Sequence, residues 1–324
     1  MAKVVLVTGG RGFAASHLIE RLRTEGDEVV SVVRDNTPDV PETRVTEVFG
    51  DIRDHQFILR ALVDYSVTHV AHLAAQAIVP KALQNPYETW DSNVRGTYSV
   101  LEACRRYSRL EGILVASSDK ALGSQDKLPY LESDQPRGIY PYDASKVATE
   151  IVSRSYQKTY DLPIAISRCA NLYGPGDTNR SRIIPDTILS TLDGQPVQIR
   201  SDGTPERDYL YIKDAVYGLA ILMDRAEEFK GEVFHFGTET PVRVIDLVER
   251  ILRLMSSTKL RPVILGQAKA EIDTQYMSAQ KAKHRLHWAP ITPLDEGLQK
   301  TIAWWRQRAG QYRGVYDYEM GYRG

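Results

Sequence analysis

The order of its apolar segments constrains this chain more than any other feature. "KVVLVTGG" (3–10) is a β-branched run closed by glycines, and "AASHLIERLRTEG" after it has helical spacing through Leu18 and Leu22. "DEVVSVVRD" gives a second strand, and "TRVTEVFGDIRD" a third that opens the helix "HQFILRALVDY". "VTHVAHLAAQ" is a fourth, followed by one long helical segment, "PYETWDSNVRGTYSVLEACRRYSR". "EGILVASSDK", the helix "DASKVATEIVSRSYQKTY" and the strand "LPIAISRCANLYGPG" complete the series. Strands alternating with helices long enough to cross over predict an α/β fold, a doubly wound parallel sheet covered on both faces. After "YGPGD" the alternation loosens. A smaller α+β part is expected from there, ending in the Pro-punctuated helix of "PITPLDEGLQKTIAWWRQR".

Charge narrows the partners. A formal net charge of −1 over 324 residues argues against a general polyanion binder or a membrane-surface protein. An acidic ligand must then be met by local Arg, Lys and backbone N–H groups. The two cysteines, Cys104 and Cys169, form no metal-type pair, which suits a reducing cytoplasm. The apolar run near the N-terminus is too short for a signal-peptide core or a membrane span.

"VTGGRGFAASHL" places Gly9, Gly10 and Gly12 between the first strand and first helix, where glycine lets the backbone approach a pyrophosphate at a helix N-terminus. A glycine loop alone is a weak signal. At the first strand–helix junction of a βαβ chain it points to a Rossmann dinucleotide site. The second strand ends Val33-Arg34-Asp35, and its message is split: Asp35 suits the 2′-hydroxyl of NAD, whereas Arg34 suits the 2′-phosphate of NADP.

"YPYDASK" sets Tyr142 and Lys146 one helical turn apart on one face. An ammonium beside a phenol favours phenolate and moves it toward general-base work. By itself the pair is common chance. Its position after the fifth strand, which ends Ser117-Ser118-Asp119-Lys120, gives it meaning, because Ser118 can hydrogen-bond the hydroxyl that Tyr142 deprotonates.

The run "TGGRGFAASHL", "GDIRD", "HLAAQ", "NVRGT", "SSDK", "YDASK", "RCANLYGPGD" and "ERDYLYIKDA" resembles the extended short-chain dehydrogenase/reductase family, the nucleotide-sugar epimerases and dehydratases. In motif, "SSDK" is most similar to the CDP-glucose 4,6-dehydratases. The resemblance implies an NAD(P)-binding domain over 1–170, later strands (about 208–238) returning to its sheet, and a nucleotide-sugar-binding part over 171–324. It implies that Gly9, Gly12, Phe13 and Ala14 cradle the pyrophosphate and that Asp51 and Ile52 border the adenine. Leu73, Ala74, Ala75 and Gln76 would line the cofactor, and Lys146 would hold its ribose. Asn171 and Arg207 would bind the sugar diphosphate. The plain alternative for Arg207 is a salt bridge with Asp208 or Asp214.

Dehydration across C5–C6 needs an acid and a base beyond Tyr142 and Ser118, and Asp119 (acid) with Lys120 (base) would supply them. A basic Lys120 requires burial or neighbouring cations to free its amine. The competing enzyme is a 4-epimerase, or a CDP-sugar 2-epimerase, with the same Tyr142, Lys146 and cofactor. A non-catalytic relative is disfavoured by the intact Ser118, Tyr142 and Lys146. The expected cofactor is NAD, with NADP as the alternative, and neither metal nor nucleic acid is called for. A homodimer is expected through the helices near 90–108 and 143–160.

Overall fold

The computed structural model describes residues 3–34, 45–267 and 272–312. Its centre is a sheet of seven parallel strands: β1 (Val4–Thr8), β2 (Glu28–Val33), β3 (Thr46–Phe49), β4 (His69–His72), β5 (Gly112–Ala116), β6 (Ile164–Cys169) and β7 (Val233–Phe236). Their spatial order is β7-β6-β5-β4-β1-β2-β3. Each central strand is apolar on both sides, and period-two alternation sends its residues to two cores. Val5, Val7, Ala71, Leu114 and Ala165 face one core; Leu6, Val70, Ile113, Val115, Ile164 and Ile166 face the other. Helices α1 (Phe13–Thr24) and α5 (Ile212–Asp224) pack together over the first. Helices α2 (His55–Asp64), α3 (Gly96–Arg105) and α4 (Pro141–Tyr160) form a layer over the second.

Local chemistry explains several boundaries. Asp54 caps α2 by accepting from the Gln56 and Phe57 N–H groups. Proline opens α4 at its first position, and Asp161 ends it in the left-handed region at φ 54°. The segment read as one long helix from residue 86 is interrupted. Pro86–Trp90 passes into a π turn at Asp91–Arg95 before α3 begins. Asn93 turns inward there and brackets Gln76, accepting from its N–H (2.7 Å) and donating to its carbonyl (3.0 Å). A buried side chain that serves the neighbouring loop in this way fits the widened turn.

Strand order reverses between β1 and β4, each continuing to an opposite side of the sheet. The crevice outside the carboxyl ends of these two strands is where open α/β sheets bind ligands. Beyond β6 the chain builds short ladders over that edge. Tyr209–Tyr211 pairs with Asn171–Tyr173 outside the main sheet, while Val233–Phe236 enters it as β7. Glu206–Arg207 lies between Val242–Arg243 and Thr274–Gln275. The buried Trp288 donates to the Asp214 carbonyl (2.9 Å) and meets Phe236 edge-on, fixing this part to the sheet. Among the described residues no helix is long and apolar enough to cross a membrane.

Candidate active site

The crevice begins at Gly9, directly after β1. Its φ is +71°, and a Cβ placed on it would lie 2.8 Å from the Ala74 Cα, so this wall admits only glycine without strain. The loop is tied down by Gly9 and Gly10 N–H bonds to the Val32 carbonyl and by Gly12 N–H to Gly9 (2.8 Å). Helix α1 then starts at Phe13 with Ala14 behind it, its N-terminus facing the crevice. Across from it run Leu73, Ala74, Ala75 and Gln76, all half-buried. A hydroxyl chain fixes this second wall. Thr97 donates to the Asn93 carbonyl (2.5 Å), so it must accept from His72 Nε2 (3.1 Å). His72 Nδ1 then accepts from Thr8 (2.8 Å), whose oxygen takes the Ala74 N–H (3.2 Å). Burial, with the Lys146 cation nearby, pushes His72 down to about 3, so the imidazole stays neutral.

The crevice therefore has a Cβ-free cradle, a helix N-terminus and a fixed opposite wall, which suits a dinucleotide. At its outer end the Asp51 carboxylate is gripped by the Arg53 guanidinium, which also reaches Asp91 and holds Asp51 below the usual carboxylate range. The Ile52 side chain rests on Gly96. Arg34 is exposed, and Asp35 lies outside the described residues.

The catalytic candidates converge where β5 and α4 meet. Ser118 ends the extended strand and caps a short 3₁₀ turn, Asp119–Leu122, accepting from Lys120 N–H (3.2 Å) and donating to Asp119 Oδ1 (2.9 Å). Burial pushes the Tyr142 phenol up to about 12, with Ser118 opposing as a hydrogen-bond partner. The sequence expectation was the reverse, a phenol lowered by Lys146. The reason lies in desolvation, which disfavours phenolate, while Lys146 Nζ donates to the Ala116 carbonyl at 2.9 Å. Lys146 is itself buried and pushed down to about 8, against the opposing charge of Glu150.

Asp119 is 5% exposed and pairs with Lys120 Nζ at 3.4 Å. Lys120 also donates to the Gln275 side-chain oxygen, and Gln275 Nε2 donates to the Asp119 carbonyl (3.2 Å). Sequence reading missed Gln275, which comes from the distant Thr274–Gln275 ladder. It also missed Asp143, buried in the first turn of α4. Burial raises that carboxyl to about 6, Lys120 opposing and Asp119 adding to the rise. The neighbours of Lys120 are thus carboxylates and an amide oxygen, not the cations that a basic lysine would call for. Leucine at 275 should lower turnover about 10- to 100-fold by loosening the Asp119–Lys120 pair. Dinucleotide affinity, measured by titration calorimetry, should be unchanged.

Toward the second part, Asn171 donates through Nδ2 to the Asp208 carbonyl (3.1 Å), and Arg207 donates to the Glu206 carbonyl (2.7 Å). Asp208 accepts from Thr238 and Glu239, and Asp214 from Ile291 and Thr292. Arg182, also missed, lies over the Phe13 ring (5.9 Å), pairs with the buried Asp177 (3.3 Å) and brings positive charge toward Tyr142. No cluster of three or more metal-ligating side chains occurs among the described residues.

A family model described as NAD dependent epimerase/dehydratase matches residues 5–237. The chain belongs to that family. Among epimerase/dehydratase relatives, it is 28% identical over 318 residues to a trifunctional protein of Arabidopsis thaliana, UDP-glucose 4,6-dehydratase/UDP-4-keto-6-deoxy-D-glucose 3,5-epimerase/UDP-4-keto-L-rhamnose-reductase. That alignment covers 94% of this chain and 47% of the relative, so the chain spans about half the relative's length. It is 31% identical to UDP-glucuronate 4-epimerase 3 of A. thaliana, over 96% of this chain and 77% of the other. The solved dTDP-glucose 4,6-dehydratase DesIV of Streptomyces venezuelae, with NAD bound, superposes with a TM-score of 0.87 at 26% identity, covering 96% and 99% of the two chains. Both activities named in the family's description therefore occur among relatives of similar distance.

Proposed function

We propose that this family member is a nucleotide-sugar 4,6-dehydratase, similar to those acting on CDP-glucose, that forms a 4-keto-6-deoxy sugar. The observation that carries this reading is the pairing of the buried Asp119 with the half-buried Lys120, held by Gln275 beside Ser118 and Tyr142. A 4-epimerase needs Tyr142, Lys146 and a cofactor; elimination needs a further acid and base, and this pair provides them.

NAD is the cofactor of the reading, held by Gly9, Gly12, Phe13, Ala14, Leu73–Gln76 and Lys146, and when bound it accepts hydride from the sugar and returns it. Ser118 orients the C4 hydroxyl, and Tyr142 removes its proton; the phenolate that burial disfavours would be stabilised by the cationic nicotinamide of bound NAD together with the Lys146 ammonium. The resulting 4-ketone acidifies C5–H. A proton passing from Lys120 Nζ to Asp119 produces an amine and a carboxylic acid together. Lys120 then takes the C5 proton while Asp119 protonates the departing C6 oxygen. Arg207 and Asn171 bind the diphosphate, as suits a guanidinium fork.

Incubation with CDP-, UDP-, GDP- and dTDP-glucose tests the reading. One nucleotide should raise the melting temperature strongly and yield a product one water lighter by mass spectrometry. A product of unchanged mass that is only epimerised at C4 or C2 rejects dehydration. The proposal includes a homodimer: Trp90, Tyr98, Ile151 and Tyr160 are exposed on the helices expected to pair, whereas Val100 is core. A monomer by light scattering would remove that part.

A further inference from the structure

Behind the acid–base centre lies a buried ion pair that no step above uses. Glu150 sits on α4 one turn beyond Lys146, and Arg168 on β6; both are almost wholly inaccessible, at 1% and 0% exposure. The guanidinium grips the carboxylate through two bonds of 2.7 Å, and its third nitrogen donates to His235 Nε2 (3.1 Å). One more donor reaches Glu150: the Ser117 hydroxyl, at 2.6 Å. Ser117 is the residue between Ala116, whose carbonyl holds Lys146, and Ser118. A single carboxylate thus joins the catalytic helix to the strand end that carries Ser118, Asp119 and Lys120.

We propose that Glu150 is a positioning residue for the acid–base centre: it fixes the Ser117–Lys120 strand end against α4 and supplies the anion that faces Lys146. The proposal deepens the dehydratase reading and rests on it for its kinetic arm. A buried pair kept only for packing is replaceable by neutral side chains of similar volume at little cost. Glu150 has a second effect. The groups facing Lys146 are Tyr142 and Glu150 on its own helix, Cys169 from β6 and His72 from β4. Burial drives the Cys169 thiol up to about 12 and the His72 imidazole down to about 3, so both are neutral near pH 7. The Glu150 carboxylate is left to oppose the desolvation of Lys146.

The sign of the pH dependence follows. Lys146 is an ammonium below about 8 and an amine above it, so turnover that uses the ammonium falls as pH rises through that value. In E150Q/R168M, which removes both charges and keeps an acceptor for Ser117, the alkaline limb should move down by about one unit. The Lys146 titration followed by 13Cε-lysine NMR on the free protein should move with it. Glu150→Asp, which keeps the anion, should restore the limb. Ser117→Ala, which keeps both charges, should lower kcat about 10-fold at unchanged KM. It decides the tie even if the double variant does not fold. A folded double variant with an unmoved Lys146 titration overturns the electrostatic half, and wild-type kcat in Ser117→Ala overturns the tie. The NMR measurement needs no substrate, so a wrong choice of reaction would leave it intact.

Discussion

Tyr142→Phe should lower kcat about 1,000-fold and leave KM for the nucleotide sugar nearly unchanged, the signature of an interaction made in the transition state. The ring stays, so the buried packing around it stays. What disappears is one hydroxyl facing Ser118, which costs about 1 kcal/mol of stability. With that hydroxyl absent no proton leaves the C4 oxygen, and every later step waits on that one. Discontinuous mass spectrometry of product, with a melting curve as control, checks the result. Turnover at the wild-type rate would remove Tyr142 from the chemistry.

Asp119→Asn removes both halves of the elimination. The amide cannot receive the Lys120 proton or deliver it to the C6 oxygen, so loss of water should fall about 100- to 10,000-fold. Lys120 keeps its proton and cannot take the one at C5, so exchange of C5–H with deuterated solvent should fall with the loss of water. Mass spectrometry reads both quantities in one sample. If exchange continues while water loss falls, Lys120 does not depend on Asp119 for its amine. An epimerase site would show no water loss in the wild type.

The sheet was legible because strand and helix periods differ and because both faces of each central strand are apolar. The glycine loop was legible because Gly9 needs a conformation and a closeness to Ala74 that other residues resist. Tyr142, Lys146 and Ser118 were readable from spacing and from their place after β5. The rest depends on distances that spacing cannot carry. Gln275 reaches Lys120 from a two-residue strand whose local sequence gives no hint of a partner. Asp143 stands inside the very motif that names Tyr142 and Lys146, yet its burial depends on the loop at Gly138 pressing against it and Lys120. Burial also reverses the expected direction for the Tyr142 phenol, since the motif speaks of a nearby ammonium and says nothing of lost water. The π turn at Asp91–Arg95 follows from what Asn93 does for Gln76, a relation across the crevice rather than along the helix.

The bond from Lys120 to Gln275 has a consequence for how the protein is made. The two residues are 155 positions apart, and chains fold broadly from the N-terminal end as they are synthesised. The glycine cradle and its opposite wall have all their parts once the chain has reached Thr97, whereas Lys120 gains its amide anchor only after Gln275 has been added. A nascent chain can therefore build the crevice well before it can hold the proposed acid–base pair in place.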